Sequence, residues 1–136
     1  MSGLVVDTSV LIAILALEPE ARSFARSIAE ADFALVSTAT LHETYCVGAS
    51  ERFVDGVNRL EKMVLELQLD KIAFDTAQLE TSTAAYMRYG RGSGHAARLN
   101  FGDCFAYALA KTRNLPLLFK GDDFIHTDIE PALKPA

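Results

Sequence analysis

The chain has 136 residues, half of them hydrophobic, and a formal net charge of −5. This length fits one domain, expected over residues 1–136, and the apolar content excludes a disordered chain. The negative balance argues against a general nucleic-acid binder. The longest apolar run, residues 10–17, is short of the ~20 residues of a membrane helix. With no basic segment before that run and no CxxC spacing of Cys46 and Cys104, we expect a cytoplasmic protein with reduced thiols.

Short apolar runs alternate with amphipathic stretches along the first half of the chain. The β-branched run at residues 3–7 ends in Asp7 and predicts a buried strand, and residues 33–37 predict a second. Helices are expected to start at Thr8 or Ser9 and run to residue 17, to start at residues 18–20, and to start at Thr38 or Thr40. Apolar residues at helical spacing predict a fourth helix over residues 53–69.

The second half continues the alternation. Residues 71–75 predict a third strand and residues 76–89 a helix, after which the glycine-rich residues 90–95 predict an irregular loop. Residues 100–102 introduce a helix over 103–112, residues 116–119 predict a fourth strand, and residues 121–124 a turn. Strands that alternate with helices predict an α/β fold whose mainly parallel central sheet is flanked by helices.

Acidic residues fall where such a sheet builds its functional crevice, beyond the carboxyl ends of the strands. Asp7 ends the first strand, Asp122 and Asp123 follow the fourth, and Asp103 opens the helix that leads into it. Glu43 lies in an otherwise apolar helix. Three of these acids have a plainer reading: Asp103 suits a helix cap, and Asp122 and Asp123 suit an ordinary turn.

Carboxylates that converge in one crevice repel each other and raise each other's pKa values, so a cation is needed to offset them. Hard oxygen ligands suit Mg²⁺ or Mn²⁺. A divalent ion held in this way can activate a water and stabilise the charge that develops on a phosphate. Hydrolysis of a phosphodiester is therefore the chemistry that these residue types best support.

Four segments carry a resemblance to a known family. They are Val-Val-Asp-Thr-Ser-Val-Leu at residues 5–11, Glu43 within residues 39–44, Asn-Phe-Gly-Asp-Cys at 100–104 and Leu-Leu-Phe-Lys-Gly-Asp-Asp-Phe at 117–124. In this order they resemble the acidic motifs of PIN-domain ribonucleases, and more narrowly those of VapC toxins of type II toxin–antitoxin systems. The similarity runs over nearly the whole chain.

The resemblance implies a PIN-like fold and a Mg²⁺-dependent endoribonuclease that cuts cellular RNA, is silenced by a cognate antitoxin and forms homodimers. By position, Asp7, Glu43 and Asp103 match the metal-site acids of the family. The fourth acid is Asp122 by preference, with Asp123 in reserve. Thr8 and Ser9 match a hydroxyl position that supports the metal site.

The charge is unevenly distributed. Between residues 86 and 120 there are six Lys and Arg residues against one acid, Asp103. A local basic rim beside a metal site can steer phosphates despite the net charge, which makes Arg88, Arg91 and Arg98 candidate RNA-binding residues. The neighbouring loop around His95 is either such a contact, with RNA or an antitoxin, or a solvated loop.

Two other functions remain open from the sequence. A receiver-like signalling module also has an α/β fold with an acidic Mg²⁺ pocket, and would use Asp75 for phosphorylation and Lys120 after a later strand. That assignment leaves Glu43 and Asp103 without a role. A catalytically silent PIN-like binding domain is the second alternative, against which the retained acids argue.

Overall fold

The computed structural model describes residues 3–133. Its sheet has the strand order β3-β2-β1-β4, and every neighbouring pair is parallel, as the alternation predicts. The described strands are β1 (Leu4–Val6), β2 (Ala34–Ser37), β3 (Asp70–Ile72) and β4 (Leu117–Leu118). The first strand is central, so the residue that follows it emerges in the middle of the carboxyl edge.

Helices connect and cover the strands. They are α1 (Thr8–Leu15), α2 (Ala21–Glu30), α3 (Thr38–Gly48), α4 (Gly56–Glu66), α5 (Thr76–Tyr89) and α6 (Phe101–Arg113), with a 3₁₀ helix at Asp123–His126. Within residues 3–133, none of the helices has the length and apolar character needed to cross a membrane.

The core lies on both faces of the sheet because successive side chains of a strand point to opposite sides. Leu4 and Val6 of β1 pack on the face covered by α1, α2 and α4. Val5, between them, packs on the other face, which α5 and α6 cover. A strand buried on both faces reads as a continuous apolar run, which is why the sequence predicts it so well.

Several boundaries differ from the sequence-based expectation, and backbone conformation explains them. Leu17, Asp55 and Gln68 all adopt left-handed φ values near 54°, which interrupts the predicted helices: α1 ends at Leu15, and α4 covers only the middle of residues 53–69. The third strand ends at Ile72 instead of residue 75. Asp75 instead caps α5 by accepting the amide of Gln78 at 2.9 Å.

Candidate active site

Asp7 directly follows β1 at the carboxyl edge of the sheet, next to the end of β4. Its backbone N–H donates to the carbonyl of Leu118 in β4 at 3.1 Å, and the residue is only 3% exposed. Oδ2 accepts from the amide of Ser9 at 3.0 Å and from its hydroxyl at 2.7 Å, which caps α1. Oδ1 is buried and, among the described residues, receives no hydrogen bond. A buried carboxylate oxygen without a donor is costly, and a cation would relieve that cost.

Glu43 reaches the same edge from α3 and is held by a hydroxyl of α1. The Thr8 hydroxyl donates to Glu43 Oε1 at 2.7 Å. Thr8 is itself supported by the buried Thr44, whose hydroxyl lies 3.0 Å from Thr8 Oγ1 and 2.8 Å from the carbonyl of Thr40. This chain of hydroxyls fixes one carboxylate oxygen of Glu43 and ties α3 to the start of α1.

Asp103 belongs to a capping box at the start of α6. Its Oδ2 accepts from the backbone N–H of Asn100 at 3.0 Å, and Asn100 Oδ1 accepts from the amide of Asp103 at 2.8 Å. The plainer reading of this residue as a helix cap is therefore correct. It does not exclude a second role, because the same turn brings the Asp103 carboxylate close to the other acids.

The pKa values of Asp7 and Asp103 reflect the charges of the neighbouring acids. Burial raises the pKa of Asp7 to about 7, and the charges of Asp103 and Glu43 add to the rise. Burial also raises the pKa of Asp103 to about 6, with further increases from the charges of Asp123 and Glu43. Acids whose pKa values are raised by burial and by one another mark a candidate functional site.

The two candidates for the fourth acid occupy different surroundings. Asp123 opens the 3₁₀ helix, and its charge acts on Asp103. Asp122 instead lines a cleft of about 260 Å³ with Phe24, Lys120 and other residues, none of which is a further acid of this site. The two candidates for the fourth acid therefore differ in surroundings: the charge of Asp123 acts on Asp103, and Asp122, the residue preferred from the sequence, borders a separate cleft.

The donor set fits a hard divalent cation, although the carboxylates do not converge on a single point. Among residues 3–133, no group of three or more His, Cys, Asp or Glu side chains is arranged to hold a metal ion as it stands. The orphaned Oδ1 of Asp7 and the raised pKa values of Asp7 and Asp103 are what a site built for a cation presents.

Ser9 joins the first strand to the loop that follows the fourth. Its hydroxyl donates to Asp7 Oδ2 and accepts the backbone N–H of Lys120 at 2.9 Å. One side chain therefore orients the central acid and anchors the segment that leads to Asp123. The sequence predicted a supporting role for this hydroxyl position, and these two bonds are how Ser9 would fill it.

The three candidate RNA-binding arginines are all exposed but differ in their surroundings. The charge of Arg91 acts on Asp103 and lowers the pKa of its carboxyl group. Arg88 lies over the ring of Tyr89 at 4.8 Å from the centroid. Arg98 adopts a left-handed φ of 49° in the loop after α5. The ring of His95 packs edge-on against Tyr89 at 4.8 Å, so this loop is anchored at its base.

Sequence reasoning missed three supporting residues. Thr44 steadies Thr8, and Asn100 caps the helix that carries Asp103. Gly102 lies so close to Glu43 that an added Cβ would overlap Oε2. The Asn-x-x-Asp spacing at the start of α6 was a usable signal for the capping box. Nothing in the local sequence identifies a glycine that a side chain 59 positions away requires.

The receiver-like alternative finds no support in the geometry. Asp75 lies beyond an edge strand and is used as the cap of α5. The Lys120 ammonium is paired with Glu18 at 3.1 Å and Glu20 at 3.3 Å. Neither side chain is therefore placed as a phosphorylation pocket would need it.

Comparison with known proteins gives a consistent result. The family model described as PIN domain matches residues 4–130. Ribonuclease VapC30 of Mycobacterium tuberculosis is 41% identical over 132 residues, which cover 97% of this chain and 100% of that protein. Ribonuclease VapC of Mycolicibacterium smegmatis is 41% identical over 126 residues, covering 93% of this chain and 97% of that protein.

Solved structures agree on the fold. The crystal structure of VapC20 from Mycobacterium tuberculosis superposes with a TM-score of 0.75 at 16% identity, over 97% of this chain and 99% of that one. VapBC2 of Rickettsia felis, bound to a DNA fragment from its promoter, gives 0.73 at 14% identity over 95% and 96% of the two chains. The domain match and the identity over nearly the full length decide the family. The chain belongs to the PIN-domain family and, within it, to the VapC ribonucleases.

Proposed function

We propose that this VapC ribonuclease cuts RNA phosphodiester bonds with Mg²⁺ as its cofactor, as the toxin of a type II toxin–antitoxin system. Asp7, Glu43 and Asp103 would hold the cation, with Asp123, whose charge acts on Asp103, as the fourth acid. Mn²⁺ has the same preference for oxygen ligands and is the natural substitute. Cellular RNA as the substrate implies that the protein acts in the cytoplasm.

The observation that carries the proposal is the state of Asp7. Its carboxylate is buried at the end of the central strand, one oxygen lacks a hydrogen-bond donor, and the charges of Asp103 and Glu43 act on it. No cation of the described residues acts on the pKa of Asp7, so a fold that buries this carboxylate gains stability when a divalent ion binds. Family membership supplies the class of reaction, and the buried acid supplies the reason for a metal.

Each residue then has a definite task. When bound, a divalent cation activates a water and stabilises the negative charge that develops on the phosphate. Ser9 holds the carboxylate of Asp7 in one orientation through two hydrogen bonds, and Thr8 does the same for Glu43. Asn100 holds Asp103 through the capping box. Arg91, together with the exposed Arg88 and Arg98, attracts the RNA backbone to an otherwise acidic surface.

The antitoxin and a second copy of the chain are the partners we propose. Two of the structural neighbours are a toxin–antitoxin complex from Klebsiella pneumoniae and VapBC2 of Rickettsia felis. An acidic crevice rimmed by arginines suits a partner segment that brings positive charge to the carboxylates. Homodimerisation has exposed apolar side chains available to it, such as Leu65 on α4.

The test is cleavage of single-stranded RNA by purified protein with Mg²⁺, with Mn²⁺ and with EDTA. Cleavage is expected with either metal and not with the chelator. Asp7→Asn should lower activity at least about 100-fold, because loss of even an outer-shell partner costs 10- to 100-fold. Asp70→Asn is the matched control, since this exposed acid lies at the opposite, amino end of β3. Activity that survives EDTA or Asp7→Asn contradicts the mechanism.

The same assay separates the two candidates for the fourth acid. Asp123→Asn should reduce Mg²⁺-dependent cleavage and raise the Mg²⁺ concentration needed for half-maximal activity. Asp122→Asn should leave both close to wild type, because Asp122 is among the residues that line the neighbouring cleft. The reverse result would identify Asp122 as the fourth acid.

A further inference from the structure

An exposed aromatic ring stands at the edge of the acidic site. Phe101, the first residue of α6, is 70% exposed. Its chain neighbours both belong to the site: Asn100 is hydrogen-bonded to Asp103, and Gly102 lies against the carboxylate of Glu43. The backbone of Phe101 therefore lies beside the acids, in a turn that the capping box stabilises.

Phe101 is part of a small group of rings. Its centroid lies 5.7 Å from that of Phe105 in an edge-to-face arrangement, and Phe105 lies 5.2 Å from Phe74, also edge-to-face. We call Phe74, Phe101 and Phe105 the aromatic platform. Phe74 and Phe105 are half-buried and support the outer ring. With this exposure and one edge-to-face neighbour, Phe101 keeps a ring face open to solvent.

Exposure alone does not make this ring a binding site. Leu17, Val54, Leu65 and Met87 are exposed to at least the same degree elsewhere on the molecule. What distinguishes Phe101 is its position beside the acids and its chemistry, because a flat ring with an open face is the side chain on which a nucleobase stacks. Unpaired RNA bases bind proteins most often in this way.

We propose that the aromatic platform binds an unpaired base of the RNA substrate next to the phosphodiester that is cut, with Phe101 as the stacking surface. This inference rests on the proposed ribonuclease function and adds to it a preference for single-stranded RNA at the cut. It assigns Phe101 to base binding, whereas the acids and Arg91 act on phosphates.

The charges around the aromatic platform fit the assignment of the base to Phe101 and of the phosphates to the acids and Arg91. Arg91 is close enough to Asp103 to act on its charge, so a cationic side chain lies on the same side of the molecule as the start of α6. Each nucleotide of RNA carries a flat base and a charged phosphate, and this part of the surface carries the exposed Phe101 ring, the acids and Arg91. A base on the ring leaves the adjoining phosphate beside the carboxylates.

A protein partner fits this patch less well. Stable protein interfaces bury more than about 1,000 Å² around a central apolar core. Here one ring is exposed, its two supporting rings are half-buried, and the adjacent residues are Asn100 and the carboxylates. A single open ring beside charged groups matches the size of one base better than an apolar protein segment.

The test compares RNA with and without bases in a catalytically inactive background. In the Asp7→Asn protein, the dissociation constants of a uridine 12-mer and of an abasic 12-mer with the same backbone are measured. Phe101→Ala should weaken binding of the uridine 12-mer about 10- to 100-fold and leave binding of the abasic 12-mer unchanged. Phe101→Trp should retain or strengthen uridine binding. Leu17→Ala, which removes a similarly exposed apolar side chain just after α1, should change neither.

A second arm uses the active enzyme. Phe101→Ala should raise KM for single-stranded RNA while kcat at saturation stays near wild type. Equal loss with both 12-mers, or no loss with either, overturns the platform. So does a Phe101→Ala protein that binds RNA normally but has lost dimerisation in sedimentation or its complex with a partner protein. If the wild-type chain neither binds nor cuts RNA, the proposed function itself fails, a result distinct from normal cleavage with an unaffected Phe101→Ala variant.

Discussion

The hydroxyl of Thr8 connects two acidic residues of the candidate site that are far apart in the sequence. It follows the buried Asp7 directly, yet its 2.7 Å hydrogen bond goes to Glu43, 35 residues away. The flexible Glu43 side chain is thereby held in one rotamer, and Thr44 braces the hydroxyl from behind. A positioned carboxylate loses little rotamer entropy when it takes up a ligand, so this bond supports binding more than it supports folding.

Thr8→Val tests this at the scale of a single atom group, because valine keeps the shape and removes the donor. We expect RNA cleavage to fall about 10- to 100-fold, as for loss of an outer-shell partner, and the free energy of unfolding to fall by about 1 kcal/mol. Thr112→Val is the matched control, since that hydroxyl bonds only within α6, to the carbonyls of Ala108 and Leu109. Equal losses of activity in the two variants would contradict a special role for Thr8.

At the scale of the element, the first turn of α6 brings the site together. The capping box places Asp103, and the absence of a side chain at Gly102 leaves room for the carboxylate of Glu43 from α3. Glycine is otherwise unfavourable inside a helix by about 1 kcal/mol relative to alanine. Glycine is needed at this position because the Glu43 side chain of α3 lies against the backbone of α6.

Gly102→Ala should therefore separate stability from activity. The new methyl group would overlap Glu43 Oε2, so the carboxylate must move and its bond to Thr8 must break. We expect a strong loss of RNA cleavage, at least about 10-fold, with a free energy of unfolding within about 1 kcal/mol of wild type because alanine favours the helix. Thermal unfolding and cleavage rates measured on the same preparation check this. Undiminished activity would show that RNA cleavage does not depend on the present position of the Glu43 carboxylate.

At the scale of the whole molecule, the fold concentrates acids at the carboxyl edge of the sheet. The parallel arrangement brings Asp7, Glu43, Asp103 and Asp123 to one edge from four separate elements. Burial and mutual repulsion raise the pKa values of Asp7 to about 7 and of Asp103 to about 6, both from an ordinary value of 3.8. The metal-free fold therefore carries a penalty that grows as these groups ionise.

The sign of the pH dependence follows directly. Between about pH 4 and 7 the folded chain retains protons that the unfolded chain releases, so the stability of the metal-free protein should fall as pH rises through this window. Stabilisation by Mg²⁺ should increase over the same range, because the cation needs the ionised carboxylates. Melting temperatures in EDTA and in Mg²⁺ from pH 5.5 to 8 test both trends. Asp103→Asn should flatten the curve in EDTA; an unchanged slope would contradict the assignment.

The sequence by itself determined the class of fold, the order of the strands and helices in the chain, and three of the acids proposed for the site. Buried parallel strands are short apolar runs, and Asp7 directly follows one of them. Helix ends were less predictable. Leu17, Asp55 and Gln68 take left-handed conformations although none of them is a glycine. The prediction of one domain over residues 1–136 stays a prediction.

Only the tertiary structure distinguishes the surroundings of two acids that are adjacent in sequence. Asp122 is among the residues that line a separate cleft, whereas the charge of Asp123 acts on Asp103. The need for glycine at residue 102 and the link from Thr8 to Glu43 arise from contacts between separate elements. Periodicity and propensity describe what a residue does within its own element, whereas burial, repulsion and steric fit depend on which elements meet.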